Sequence, residues 1–182
     1  MSAIDILTTR NADFAARRFR AGLSLMPTLK TMIVGCVDPR VDPAQALGLE
    51  LGEAVVIRNI GGRITPATLR TMAMLGMIGQ AEGATPGSGW NLVVLHHTDC
   101  GITRLVGSSD LLADYFGVAT DHLDAKAVAD PYAAVKGDVA ALKENPVLPG
   151  DVIVSGLVYD VATGLLAPVV APAPLRNGGQ VA

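Results

Sequence analysis

Short apolar runs alternate with stretches of helical periodicity along this chain, and that alternation limits the fold more than any other feature. The runs are TMIVGCV at 31–37, EAVVIRN at 53–59, WNLVVLHH at 90–97 and DVIVSGLVYD at 151–160. Each is continuous rather than alternating in polarity and rich in β-branched residues, as strands buried on both faces are. A short helical stretch, DPAQALGL, follows the first run, with Asp42 and Pro43 as its start signals. Thr65 and Pro66 open a longer one, ATLRTMAMLGMIGQAEG, whose Met and Leu residues recur at helical spacing and read as core. Further helical stretches cover about 101–117 and 131–144. Strand–helix alternation of this kind makes βαβ units and a mostly parallel sheet. The triplet ATG at 162–164 then turns the chain into LLAPVV. The expected fold is α/β: a parallel four-stranded core sheet in the order 2-1-3-4 with a short antiparallel edge strand, flanked by helices. Residues 172–182 are expected to form a loose tail.

With 182 residues, half of them apolar, the chain suits one domain spanning 1–182. A net charge of -3 and an aromatic content of 4% provide no basic, aromatic-laced surface, so nucleic acid is not an expected partner. Residues 1–22 read as an amphipathic helix carrying charges throughout, without the apolar stretch and cleavage site of a secretory signal. Charges, Gly or Pro interrupt every apolar run before the roughly 18 residues of a membrane span. A cytoplasmic protein with no membrane partner is expected. The apolar positions of the first segment, among them Ile6, Leu7, Phe14 and Phe19, exceed what one small domain need cover, so this helix is expected to dimerise.

The strand ends carry the chemistry. Cys36 closes the first run, and His97 closes the third with Cys100 three residues on. In a doubly wound sheet the first and third strands are commonly adjacent, with the ligand crevice beyond their carboxyl ends. Three soft donors then converge on one place, and Cys, His and Cys with an open fourth position suits catalytic zinc. The bland alternative is two cysteines acting as small hydrophobes beside a satisfied histidine. Two cysteines in such a chain do not build a disulfide framework.

CVDPR together with HHTDCG resembles the paired zinc motif of the β-class carbonic anhydrases, Cys-x-Asp-x-Arg followed by His-x-x-Cys, in its compact bacterial branch. VIRNIGG is similar to that family's turn after the second strand, and GLVYDVATGLL to its last hairpin, so the likeness runs from about 30 to 167. The resemblance implies a zinc lyase, a carbonate dehydratase that interconverts carbon dioxide and bicarbonate, with Cys36, His97 and Cys100 as metal ligands. It further implies that Arg40 holds the Asp38 carboxylate off the metal and positions it to accept a hydrogen bond from the nucleophile. Released, Asp38 becomes a conditional fourth ligand. A homodimer or tetramer is implied as well, with Arg58, Gly61 and Gly62 near the substrate cleft. Two thiolate ligands cancel most of the metal's charge, so activity is expected to favour alkaline pH. Pro39 departs from the small residue usual in the motif; it fixes one backbone angle and removes an amide donor beside Asp38. Some members carry a Trp three residues before the first cysteine as part of a regulatory bicarbonate site; Ile33 stands there here.

Hydrolysis of carbonyl sulfide or carbon disulfide at the same centre is an alternative the motifs do not separate. A non-catalytic zinc-binding or bicarbonate-sensing protein is another, against which the intact Asp38 and Arg40 pair stands. His96, next to His97 on a strand, faces the opposite side and reads as a packing or hydrogen-bonding residue. Asp99 reads as orienting the turn between the ligands. His122 lies in a polar stretch and reads as a solvent-exposed loop or helix residue, with a proton-shuttle role as the alternative. GATPGSG lacks the ending of a phosphate-binding loop, so nucleotide binding has no support.

Overall fold

Every helix expected from a sequence start signal begins where that signal stands. The computed structural model describes residues 1–85, 87, 89–146 and 148–176. Helix α1 runs Ala3–Arg17 behind a capping box in which Ser2 and Asp5 exchange side-chain and backbone hydrogen bonds. Asp42 caps the short α2 (Pro43–Leu47), accepting from the amides of Ala44 and Gln45. Thr65 caps α3 (Pro66–Ala81) and Asp130 caps α5 (Pro131–Glu144), each with proline at the first turn, where a missing amide costs nothing. Helix α4 (Ser109–Phe116) ends on Gly117 in the left-handed conformation.

Five strands form one sheet in the order β2-β1-β3-β4-β5. β1 (Thr31–Cys36), β2 (Ala54–Asn59), β3 (Asn91–His97) and β4 (Ile153–Tyr159) are parallel, and β5 (Leu166–Pro174) pairs antiparallel with β4. The expected order and the antiparallel edge are both present. One main core packs Val34, Val94, Val154 and Val158 of the sheet against Met72 of α3 and Val135, Val139 and Leu142 of α5.

Three expectations need correction. The edge strand is not short: it continues through nine residues, including Pro168, Pro172 and Pro174, which an edge tolerates because proline lacks only a donor. Residues 172–176 are therefore held rather than loose. Pro172 and Pro174 belong to β5, Leu175 is buried with its amide on Val152 O at 2.8 Å, and the Arg176 guanidinium bonds the carbonyls of Asn145 and Leu148. The rest of the expected tail, 177–182, lies outside the described residues. The methionines of α3 do not form a core stripe either: Met72 is buried, but Met74 and Met77 are exposed on the outer face.

A buried ion pair that the sequence reading missed binds three elements together. Arg63, after β2, and Asp138, on α5, are 2% and 1% exposed. Arg63 Nε donates to Asp138 Oδ2 at 2.7 Å, the Ile64 amide donates to the same oxygen at 3.2 Å, and His96 Nε2 of β3 lies 3.2 Å from it. The guanidinium also donates to Lys126 O at 2.6 Å and lies over the Phe116 ring at 4.7 Å. Burial works against the Asp138 carboxylate, but His96 and Arg63 outweigh it and hold its pKa below the usual value.

Asp138→Asn leaves the buried guanidinium without its counter-charge, and the expected loss of stability is about 3–5 kcal/mol by denaturant unfolding at neutral pH. Because the folded-state pKa of Asp138 is lowered, its contribution is complete above the ordinary carboxylate range and disappears as pH falls through the folded value. The stability gap between wild type and Asp138→Asn should therefore narrow in acid.

Candidate metal centre

Parallel pairing places Cys36 and His97 at the same edge of the sheet. β1 and β3 are neighbours in the register Val34↔Val94, so both end where the strands' carboxyl ends point. The turn that follows β3 returns Cys100 to the same spot. Among the described residues, Cys36, His97 and Cys100 are the histidine, cysteine and carboxylate group whose donor atoms lie within 4.8 Å of one another, and all three are buried. Ile102, Leu112 and Phe116 surround the two cysteines and keep the donors out of bulk water.

The donors fit a tetrahedral divalent metal. Cys36 Sγ and Cys100 Sγ are 3.7 Å apart. That is far longer than a disulfide bond of about 2.05 Å, and two tetrahedral ligands at the zinc–sulfur distance of about 2.3 Å stand roughly 3.8 Å apart. His97 Nδ1 lies 2.8 Å from Thr98 O. A carbonyl only accepts, so Nδ1 carries the proton and Nε2 presents its lone pair. Nε2 is buried without a hydrogen-bond partner, an orphan that a metal ion would satisfy. As thiols, the two cysteines act on each other in opposite directions: the contact with Cys100 lowers the Cys36 pKa well below the usual thiol value against the effect of burial, while the Cys100 pKa is pushed up. The Asp38 amide, 3.4 Å from Cys36 Sγ, and the Gly61 amide add to the stabilisation of the Cys36 thiolate.

Beside this cluster the Asp38 carboxylate is turned away, onto Arg40. It accepts from the Arg40 amide at 2.9 Å, from Nε at 3.1 Å and from Nη2 at 2.7 Å. These bonds, led by the guanidinium, lower its pKa to about 2. Asp38 is not one of the mutually close donors. The site-side and packing-side histidines separate as alternation requires, since His97 joins the cysteines while His96 meets Asp138.

Arg58, Gly61 and Gly62 form the wall behind Cys36. Arg58 donates to Cys36 O and Asp38 O, each at 2.8 Å, and pairs with Asp42. Its guanidinium thus braces the loop that carries Asp38. Gly62 has φ 66, and an added Cβ would meet Leu95 O at 2.9 Å and Cys36 N at 3.0 Å, so only glycine lets the turn press against both strand ends. Tyr115 donates to Ile60 O at 2.7 Å and fixes the same turn to α4; burial pushes its pKa up to about 12. Nothing in the periodicity of α4 marked Tyr115. Asp99 has φ 49 and contacts both Arg40 and Arg104, a pairing the sequence reading missed for Arg104. His122 is exposed on the 3-10 segment Thr120–Lys126 and is not part of the donor cluster.

Comparison with known proteins agrees with this geometry. The sequence profile of the carbonic anhydrase family matches residues 31–123. Beta-carbonic anhydrase 1 of Mycobacterium bovis is 30% identical over 172 residues, covering 93% of this chain and 99% of the relative. A carbon disulfide hydrolase of an Acidianus species is 26% identical over 187 residues, covering 88% of this chain and 85% of the relative. Among solved structures, a carbonic anhydrase from Streptococcus mutans superimposes with a TM-score of 0.72 at 34% identity, covering 93% of this chain and 98% of that one. A converging Cys, His and Cys set on a β2-β1-β3-β4-β5 sheet, matched along nearly its whole length, has one reading: the chain belongs to the carbonic anhydrase family, in its β class.

Proposed function

We propose that the protein is a zinc-dependent carbonate dehydratase that interconverts carbon dioxide and bicarbonate. The observation that carries this reading is the buried Cys36, His97 and Cys100 cluster with an Asp38 carboxylate held beside it but off it. Zinc bound there would supply Lewis acidity that makes a water more acidic than bulk water, less so than at a site of three neutral histidines because two of the donors are thiolates. The chain's own residues do the rest. His97, locked by Thr98 O, presents Nε2; the amides of Asp38 and Gly61 support the Cys36 thiolate. Asp38, ionised because of Arg40, accepts a hydrogen bond from the attacking group and so orients it. Arg40 prevents that carboxylate from turning onto the donor cluster and occupying the open position. Arg58 and the 60–62 turn keep the strand-end loop in place.

The carbon disulfide hydrolase relative supports a second linear substrate class, but its identity and coverage are lower than those of the Mycobacterium bovis and Streptococcus mutans carbonic anhydrases. Two cysteines that must stay free thiols favour a reducing compartment, which supports a cytoplasmic setting. No described helix is long and apolar enough to cross a membrane.

For assembly, we read residues 1–182 as one domain whose first segment serves a partner copy. Helix α1 buries none of its residues, and Ile4, Ile6, Leu7 and Phe19 are exposed. Leu25, Met74, Met77 and Ile78 add further exposed apolar surface. Leu25 and Ile78 border an apolar cavity of about 230 Å³ between α3 and the amino-terminal edge of the sheet. An amphipathic helix with no covered face is stable only against another surface, and a second copy provides one.

Metal analysis of the purified protein should find about one zinc per chain, with Cys36→Ser and Cys100→Ser each reducing it severely. Full occupancy in both variants would refute the ligand assignment. Measured side by side, hydration of carbon dioxide should far exceed hydrolysis of carbon disulfide or carbonyl sulfide; the opposite ranking would move the protein to the second substrate class. In the hydration assay Asp38→Ala should retain zinc and lose about 10²-fold in turnover. Deletion of residues 1–22 should convert the assembly to monomer in sedimentation equilibrium, and an intact active dimer after deletion would remove the proposed role of α1.

A further inference from the structure

We propose that Asp99 and Arg104 are positioning residues for Arg40, so that the hold on Asp38 depends on a four-membered charge chain, Asp38–Arg40–Asp99–Arg104. The inference presupposes the gate formed by Asp38 and Arg40 and extends it to two residues outside the paired motif.

All three nitrogens of the Arg40 guanidinium are engaged, from two sides. Nε donates to Asp38 Oδ1 at 3.1 Å and Oδ2 at 3.3 Å, and Nη2 donates to Asp38 Oδ2 at 2.7 Å. From the other side, Nη1 donates to Asp99 Oδ2 at 2.8 Å, while Nη2 also donates to Asp99 O at 2.9 Å. The Asp99 carboxylate divides its oxygens between two arginines: Oδ2 takes Arg40, and Oδ1 takes Arg104 Nη2 at 2.8 Å. Arg104 Nη1 is steadied in turn by Thr103 Oγ1 at 3.2 Å. Signs alternate along the chain, so each member fixes the next.

The need for a second anchor follows from exposure. The Arg40 side chain is 49% accessible, and an ion pair to a half-exposed arginine loses much of its Coulombic gain to the rotamer freedom it must freeze. Asp99 meets that ordering cost independently of Asp38. The fork therefore waits in place, and Asp38 finds its partner pre-positioned. Asp99 does this because its backbone is left-handed, φ 49, so both its carbonyl and its carboxylate reach Arg40. Since Asp99 lies between His97 and Cys100, the anchor of the gate and two of the metal donors share one turn.

The test uses cobalt-substituted holoenzyme titrated with azide, read by the visible absorption of the metal. Azide competes for the position that a turned-in Asp38 would fill, so its apparent Kd rises as the open fraction falls. Asp99→Asn retains the left-handed conformation and an acceptor oxygen while removing the charge. It should weaken azide by about tenfold, and Arg104→Ala on the exposed end of the chain by about two- to fivefold, with partial recovery in Arg104→Lys. Removing a negative charge would by itself strengthen anion binding, so a loss in Asp99→Asn has the sign of Asp38 closing. The loss in Asp99→Asn should vanish in an Asp38→Ala background, and that in Arg104→Ala should shrink to the small effect of removing one exposed positive charge. Unchanged or tighter azide binding in Asp99→Asn, or a loss in that variant that persists without Asp38, would overturn the inference. If Arg40→Ala itself leaves azide affinity unchanged, the gate reading fails instead.

Discussion

Register between β1 and β3 governs what the ends of these strands can do. With Val34 opposite Val94, the strand that ends in Cys36 and the strand that ends in two consecutive histidines terminate together. Side chains alternate across a sheet, so a slip by one residue would exchange the faces of His96 and His97. His97 would then point at Asp138 under α5, and His96, which now lies against that carboxylate, would face the two cysteines. Both the core and the site therefore select the same register. The apolar Val34 and Val94, fully buried in the main core, enforce it from a few residues away.

Two charge networks flank this register, and their surroundings give them different work. Arg63 and Asp138 are sealed in the interior, where an unpaired member would be costly, so the pair is always formed and acts as a fixed strut between the turn after β2 and α5. Its position also fixes the 60–62 turn from behind, because the Arg63 amide donates to Asn59 Oδ1 at 2.7 Å and Asn59 in turn donates to Arg63 O at 2.7 Å. Arg40 and Asp99 are about half exposed, and the Asp38 side chain, 12% accessible, lies at the boundary between them and the interior. The gate proposed for Asp38 and Arg40 would use this second kind of environment, where a contact is exchanged at smaller cost than in the sealed interior.

Much of the site was legible because its residues close strands. Cys36, His97 and Cys100 fall at the ends of runs that could only be parallel strands, and caps such as Asp42, Thr65 and Asp130 announce themselves chemically. What escaped were features settled by tertiary neighbours. Met74 and Met77 share the composition of a core stripe but lie on the wrong side of α3, a distinction that helical spacing alone does not make. Pro172 and Pro174 of β5 looked like the start of a loose tail, whereas an unpaired outer edge accepts them. Asp138 did leave a trace: it falls among Ala134, Val135, Val139 and Leu142 on the buried face of α5, and a charge at such a position demands a buried partner. Arg63 is that partner, but nothing in a turn sequence says which way its side chain runs.

In the proposed gate, the donor set accounts for why a partly exposed tether would be enough to control Asp38. Two thiolates and a neutral imidazole together carry the charge that cancels a divalent cation, so a further carboxylate is drawn to the centre far less strongly than it would be to a site of three histidines. Under that weak pull, Arg40 can compete without being buried. Placing Pro39 between the two partners adds to the bias, because the Asp38 carboxylate accepts the Arg40 amide at 2.9 Å across a residue whose backbone angle is already fixed. A local turn, a guanidinium fork and a second carboxylate thus combine small effects that all keep Asp38 on Arg40, which is what the proposed gate requires of its closed-off carboxylate.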